Sequence, residues 1–188
     1  MKVLGAIIAG GKSTRMGGVE KALLQLGSKT LIEHVSQRLA LQVDHIIVNA
    51  NGDAARFTFE VVPDVLTAIQ TPLVGLHAVL NYAHDFDAVL TVPSDAPFLP
   101  MDLRALLGAG PAIACSNGQN HYLTGLWPVS LFAKLDDALH AGMVRMQDWV
   151  TECDADTIEW STTPYDPFFN INTPEDLVMA QTYLRHRA

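Results

Sequence analysis

The chain has very little cysteine: Cys115 and Cys153 are the only two in 188 residues. They stand far apart and outside any Cys-x-x-Cys spacing, so the expectation is two reduced, partly buried thiols rather than a disulfide framework or thiolate metal site. Long hydrophobic runs are missing too. No apolar segment approaches the roughly 18 residues needed to span a bilayer. The opening Met1-Lys2-Val3-Leu4-Gly5 lacks the basic region, long apolar stretch and cleavage site of a signal peptide, which makes the cytoplasm the expected location. Positive charge is in the minority, with 12 basic against 20 acidic residues and a formal net charge of −8. Without an extended basic face, neither nucleic acid nor an anionic membrane is an expected partner. The histidines, His34, His77 and His84 among them, show no zinc spacing. No Ser-His-Asp or paired-acid constellation, internal repeat, low-complexity segment or linker stands out.

What is present suits one α/β domain. Hydrophobic residues make up 49% of the chain and charged residues 17%, enough for a well-buried core. Val3 to Ile8 is a continuous apolar run that empties into Ala9-Gly10-Gly11, the pattern of a buried parallel strand and loop. Thr30-Leu31-Ile32-Glu33 has capping-box spacing ahead of the periodic set Leu31, Val35 and Leu39, which predicts a helix over 31–41. Further strands are expected at 45–49, 61–62, 88–92, 112–115 and 123–127. Further helices are expected at 73–82, from Pro100 to about Leu107, at 131–141, and at 173–184 with Thr173 as N-cap and Pro174 in the first turn. Strands alternating with helices imply a mostly parallel sheet with helices on both faces, and ligands bind such sheets at the carboxyl ends of strands.

The most informative stretch runs from Ala9 to Lys21. Lys2, Lys12, Arg15, Lys21 and Lys29 face Glu20 alone within the first 30 residues, so the acidic surplus lies wholly beyond them. Gly10, Gly11, Gly17 and Gly18 flank or separate the cations of this loop. Glycines let backbone N–H groups turn around phosphate oxygens while Lys and Arg supply charge, so a triphosphate is the natural guest. A P-loop is disfavoured because Ala6 stands where its first glycine is required. The dinucleotide fingerprint fails on spacing as well. Asp95 follows the run 88–92 at a strand end and offers the oxygen ligand that Mg²⁺ prefers. Asn49 ends its own strand with an amide that can both donate and accept, as a base or ribose hydroxyl requires. Asn170 and Asn172, two residues apart, share a face if extended and could cap the following helix or join Asp95.

Ile8-Ala9-Gly10-Gly11-Lys12-Ser13-x-Arg15-Met16-Gly17-x-x-x-Lys21 resembles the signature of the molybdenum cofactor guanylyltransferase family. The resemblance continues through Val48-Asn49-Ala50-Asn51, Val62-Pro63-Asp64, Pro72-Leu73-x-Gly75, Pro93-Ser94-Asp95-x-Pro97-Phe98-Leu99 and Phe169 to Glu175, and so covers almost the whole chain. It implies a Rossmann-like nucleotidyltransferase fold, with an N-terminal part that binds GTP and a C-terminal part concerned mainly with the pterin cofactor. The expected reaction is transfer of GMP from GTP to the terminal phosphate of molybdenum-molybdopterin, with pyrophosphate released. Carried over by position, Ile8, Ala9, Gly10, Gly11, Lys12, Lys21, Asn49, Asp64 and Asp95 contact GTP, and Asp95 binds Mg²⁺. Arg15, Lys21 and Asp95 would be catalytic: Lys12, Arg15 and the metal offset charge on the leaving pyrophosphate, while Lys21 holds the α-phosphate side. Pterin-side candidates are Thr71, Pro72, Leu73, His121, Arg145, Asn170 and Asn172. Glu20, Thr71 and Tyr122 depart from the family, which usually carries Asp, Gly and Pro there. Gly10-Gly11 favours GTP, since cytidylyl-transferring relatives tend to carry Ala-Gly. CMP transfer to the pterin, nucleotidyl transfer to a sugar phosphate, and a non-catalytic cofactor carrier are the alternatives. Transient contact with upstream cofactor-synthesis proteins and with apo-molybdoenzymes is a further implication.

Overall fold

β1 (Val3–Ile8) is buried along its whole length, and its alternating side chains serve two different cores. Val3 and Ile7 join one hydrophobic cluster, while Leu4, Ala6 and Ile8 join another on the opposite face of the sheet. Such two-sided burial is what turns a parallel strand into a continuous apolar run. The protein is seen as a computed structural model that describes residues 1–10, 20–69 and 71–185.

A two-stranded hairpin of β2 (Gln25–Leu26) and β3 (Lys29–Thr30) leads into helix α1 (Leu31–Leu39). The capping box forms as expected: Thr30 Oγ1 accepts from the Glu33 backbone N–H, and the Thr30 N–H donates to Glu33 Oε2 at 2.6 Å. Val35 and Leu39 then lie against the cluster containing Val3 and Ile7. A Cβ on Gly5 would come within 2.9 Å of Leu39 Cδ2, so the glycine permits α1 to sit this close to β1.

β4 (His45–Asn49) and β5 (Glu60–Val62) precede α2 (Pro72–Tyr82). Thr71 caps α2, Pro72 occupies its first turn, and Leu73 to Leu80 are buried throughout. After β6 (Ala88–Pro93), the helix expected from Pro100 begins only at α3 (Leu103–Leu107), because Asp102 has φ −106° and ψ 9°. The strand expected at 123–127 is longer: β8 (Gln119–Pro128) forms a hairpin with β7 (Ala112–Ser116). Asn117 and Gly118 make the turn with φ of 48° and 72°, a conformation that suits Asn-Gly. Helix α4 (Phe132–His140) follows. Helix α5 (Met146–Glu152) and strand β9 (Asp156–Trp160) are additions to the elements expected from sequence, before α6 (Pro174–Arg185).

The seven-stranded sheet has the order β5-β4-β1-β6-β8-β7-β9. The pairs β5–β4, β4–β1, β1–β6 and β7–β9 are parallel, whereas β8 runs antiparallel to both of its neighbours. Apolar residues of α1 and α3 pack with one sheet face and those of α2, α4 and α5 with the other. Helix α6 and the small hairpin share a third cluster built on Leu26, Leu31, Phe98, Ile171 and Ala180. The structure is therefore α/β, mostly parallel and flanked by helices on both faces, as expected.

Candidate active site

The chain places β4 and β5 on one side of β1 and then crosses to lay β6 on the other. That reversal opens a crevice at the carboxyl ends of β1 and β6. Backbone pairing continues past the strand ends, with Ala9 N–H donating to Asn49 O at 2.9 Å and Ser94 N–H donating to Ile8 O at 3.1 Å. The residues following β1, β4 and β6 are thus held against one another by the sheet itself.

Lys21 reaches this point from the far side of the glycine loop. Its Nζ lies 2.6 Å from Asp95 Oδ2 and 2.6 Å from Asn172 Oδ1. Three sequence candidates separated by up to 151 positions therefore meet at one ammonium group. Both members of the ion pair are about four-fifths shielded, with side-chain exposures of 21% and 17%, so solvent screens the pair less than it would a surface one. Asn172 does not cap α6. Thr173 does so by accepting from the Asp176 N–H, while Asp176 Oδ2 accepts from the backbone N–H groups of both Asn172 and Thr173 at 2.8 Å. Burial raises the Asp176 pKa, but those backbone bonds and the Thr173 hydroxyl outweigh it and hold the carboxyl below its ordinary value. The Asn172 side chain is left for Lys21. Ile171 N–H donates to Asp95 O at 3.0 Å and ties this segment to the β6 end.

Beside it lies a cavity of about 550 Å³ lined by Ile8, Ala9 and Gly10 of the β1 exit and by Asn49, Asp64 and Gly75. Asn49 Nδ2 donates to Val62 O and to Asp64 Oδ1, each at 3.0 Å. Asn51 Nδ2 donates to Asp64 Oδ2 at 2.7 Å, and Asp64 N–H returns a bond to Asn51 Oδ1 at 3.0 Å. The carboxylate is thereby fixed by two amides. A Cβ on Gly75 would fall 2.5 Å from Asn49 Oδ1, so the first turns of α2 keep a glycine where the amide sits. Glu20 and Arg56 also line the cavity and are joined by an ion pair of 2.8 Å. Glu20 is thus engaged with Arg56.

The pterin-side candidates are dispersed. Thr71 and Pro72 line the same cavity as Ile8 to Gly10. Leu73 is fully buried in the core, and its side chain packs rather than faces a ligand. Thr71 also donates its hydroxyl to Val144 O, next to Arg145, which is exposed at the start of α5. His121 lies elsewhere, in the β7–β8 hairpin. Ser116 Oγ is 2.6 Å from His121 Nε2 and 3.0 Å from Asp166 Oδ1. Since a carboxylate only accepts, Ser116 gives its proton to Asp166 and accepts from the His121 Nε2–H. Burial pushes the His121 pKa down, against the pull of Asp166 and Glu159. Gly11, Lys12 and Arg15 lie outside the described residues.

The site can be tested for Mg²⁺ on its donors. Asp95 and Asn172 already direct two oxygens at one cation position, and Asn170 Oδ1 is buried without a hydrogen-bond partner among the described residues. No group of three or more His, Cys, Asp or Glu among the described residues is placed to hold a metal. One carboxylate completed by phosphate oxygens and water is a donor set that Mg²⁺ accepts, so the residues fit.

Comparison with known proteins now decides the family. The MobA-like NTP transferase domain matches residues 5–156. The molybdenum cofactor guanylyltransferase of Rhizobium johnstonii is 40% identical over 197 residues, covering 97% of this chain and 93% of that protein. The chain belongs to the molybdenum cofactor guanylyltransferase family. Among solved structures, molybdopterin-guanine dinucleotide biosynthesis protein A from Archaeoglobus fulgidus aligns with a TM-score of 0.74 at 22% identity, covering 97% and 99% of the two chains. A nucleotidyl transferase from Methanothermobacter thermautotroptrophicus aligns with a TM-score of 0.74 at 19% identity, covering 100% and 99%. At these identities the two structures establish the shared fold of this guanylyltransferase family. Asn51, Glu20, Arg56 and Gly75 are among the cavity-lining residues that sequence reasoning did not assign to the nucleotide. The Val48-Asn49-Ala50-Asn51 match contained the signal for Asn51.

Proposed function

We propose that the protein transfers GMP from GTP to the terminal phosphate of a molybdopterin cofactor. The observation that carries this reading is the convergence of Lys21, Asp95 and Asn172 beside a cavity of about 550 Å³ floored by the β1 exit. Such a cavity falls in the range used for small-molecule sites. Asp64 supports a guanine in it: an ionised carboxylate only accepts, and guanine presents two adjacent donors, its N1–H and its 2-amino group. Cytosine offers an amino group beside an unprotonated ring nitrogen, a poorer match.

In the reaction, an oxygen of the pterin phosphate forms a bond to the α-phosphorus of GTP. The bond from that phosphorus to the bridging oxygen breaks, and pyrophosphate leaves with the electron pair. A phosphate monoester is largely dianionic near pH 7, so no protein base is needed to unmask the nucleophile. The protein's contribution is position and charge. Lys21 neutralises phosphate charge from its place against Asp95 and Asn172, while Asn49 and Asp64 hold the nucleoside. Asp95, with Asn170 and Asn172 nearby, would hold Mg²⁺, which supplies Lewis-acid neutralisation of the polyphosphate when bound. Lys12 and Arg15 add cations on the leaving-group side. Among the described residues no helix is long and apolar enough to cross a membrane, which is consistent with work in the cytoplasm.

Incubating the protein with GTP or CTP, Mg²⁺ and either the phosphorylated pterin or a sugar phosphate, then weighing the products and measuring pyrophosphate, tests the proposal. The expected result is a guanine dinucleotide of the pterin with one pyrophosphate per product. A cytidylyl or sugar product, or cofactor binding without pyrophosphate, would overturn it.

A further inference from the structure

Arg56 lines the nucleoside cavity, and its described contacts join two segments of the cavity wall. Its Nη1 donates to Glu20 Oε2 at 2.8 Å, and its Nη2 donates to the backbone carbonyl of Asn51. The guanidinium therefore bridges the end of the glycine loop and the chain leaving β4. Its third nitrogen, Nε, is buried and has no hydrogen-bond partner among the described residues. Because solvent does not reach Nε, a ligand in the cavity is offered instead the second N–H that Nη1 or Nη2 carries. Asn51 links the donor to an acceptor: its carbonyl receives Arg56 while its side chain is locked on the Asp64 carboxylate. Arg56 and Asp64 both line the cavity. The wall thus presents a fixed cationic donor and a fixed anionic acceptor on the two sides of one residue.

We propose that Arg56 selects the nucleobase by donating to the carbonyl oxygen of a purine whose neighbouring N–H groups are accepted by Asp64, with Glu20 acting as a positioning residue that holds the guanidinium. This deepens the guanylyl reading and rests on it. Guanine carries a 6-carbonyl next to an N–H and an amino group. Adenine has an amino group in place of that carbonyl and would set a donor against Arg56.

The test measures dissociation constants by calorimetry for GTP, 6-thio-GTP and ITP with the wild-type protein and with Arg56→Met and Glu20→Gln. The thio analogue keeps both N–H donors and weakens only the carbonyl acceptor, whereas ITP keeps the carbonyl and lacks the amino group. Wild type should prefer GTP to 6-thio-GTP by about tenfold, the lower end of what a hydrogen bond to a charged group contributes. Arg56→Met should erase that preference and leave the GTP-to-ITP ratio unchanged. Glu20→Gln keeps the guanidinium in place of a deletion and should narrow the same ratio, which keeps the test open if Arg56→Met fails to fold. Equal weakening toward all three nucleotides, or an unchanged GTP-to-thio ratio in both variants, would overturn the proposal. A wild-type protein that prefers CTP would instead sink the guanylyl reading, before any variant is made.

Discussion

Gly75 shows how one missing side chain can matter to both stability and binding. It lies within α2, where alanine is favoured over glycine by about 1 kcal/mol, yet a Cβ there meets Asn49 Oδ1 at 2.5 Å. Gly75→Ala should therefore leave unfolding free energy within about 1 kcal/mol of wild type, the helix gain offsetting a disturbed hydrogen bond. Its dissociation constant for GTP should rise about tenfold, because Asn49 loses its place against Val62 and Asp64. Denaturant titration and calorimetry check the two halves, and an unchanged affinity would show that Asn49 is not held for the nucleotide. Residues at strand ends were legible from sequence: Asn49 and Asp95 each follow an apolar run, and Lys21 closes a glycine-rich loop. Gly75 and Arg56 were not legible as lining residues of the cavity, because their place there depends on neighbours 26 and 36 positions away. Lys12 and Arg15, expected beside the triphosphate, lie outside the described residues and are proposed on the loop's composition.

Two helix starts have similar chemistry and different consequences. Thr30 caps α1, which carries no site residue, so Thr30→Ala should cost about 1 kcal/mol of stability and leave turnover unchanged. Asp176 accepts from Asn172 and Thr173 at the start of α6, and Asn172 in turn faces Lys21. Asp176→Ala should cost a similar amount of stability, about 1 kcal/mol, and should also lower turnover about tenfold by misplacing Asn172. Steady-state kinetics on both variants, at a temperature where both remain folded, separates the cases; equal turnover would mean that Asn172 does no positioning. Capping residues made these starts readable, since Thr30-x-x-Glu33 and Thr173-Pro174 are local signals. The β2–β3 hairpin was missed because each strand has two residues. β9 was missed because four of its five positions are exposed or only half-buried, which erases the apolar run.

At the scale of the molecule, alternation of strands and helices sufficed for an α/β sheet with two covered faces. The strand order and the antiparallel direction of β8 were not readable, because they depend on which elements pack together rather than on any local pattern. The β7–β8 hairpin carries the half-buried His121, whose pKa lies below its ordinary value of 6.5 chiefly because of desolvation. The fold therefore favours the neutral ring. This contribution to stability is fully present above pH 6.5 and is lost as the pH falls through the folded pKa. Ring titration by NMR should give a midpoint below 6.5, and His121→Asn should lose less stability than wild type on acidification; a midpoint above that value would contradict the burial account. On the proposed function, nucleotidyl transfer occurs where Asp95 meets Lys21 and Asn172. Single-turnover pyrophosphate release by Asp95→Asn from GTP with the phosphorylated pterin as acceptor, read beside its dissociation constant for GTP, is the decisive measurement. The rate should fall by on the order of a hundredfold or more, with affinity changed far less. An unchanged rate, or equal losses in rate and affinity, would contradict this placement.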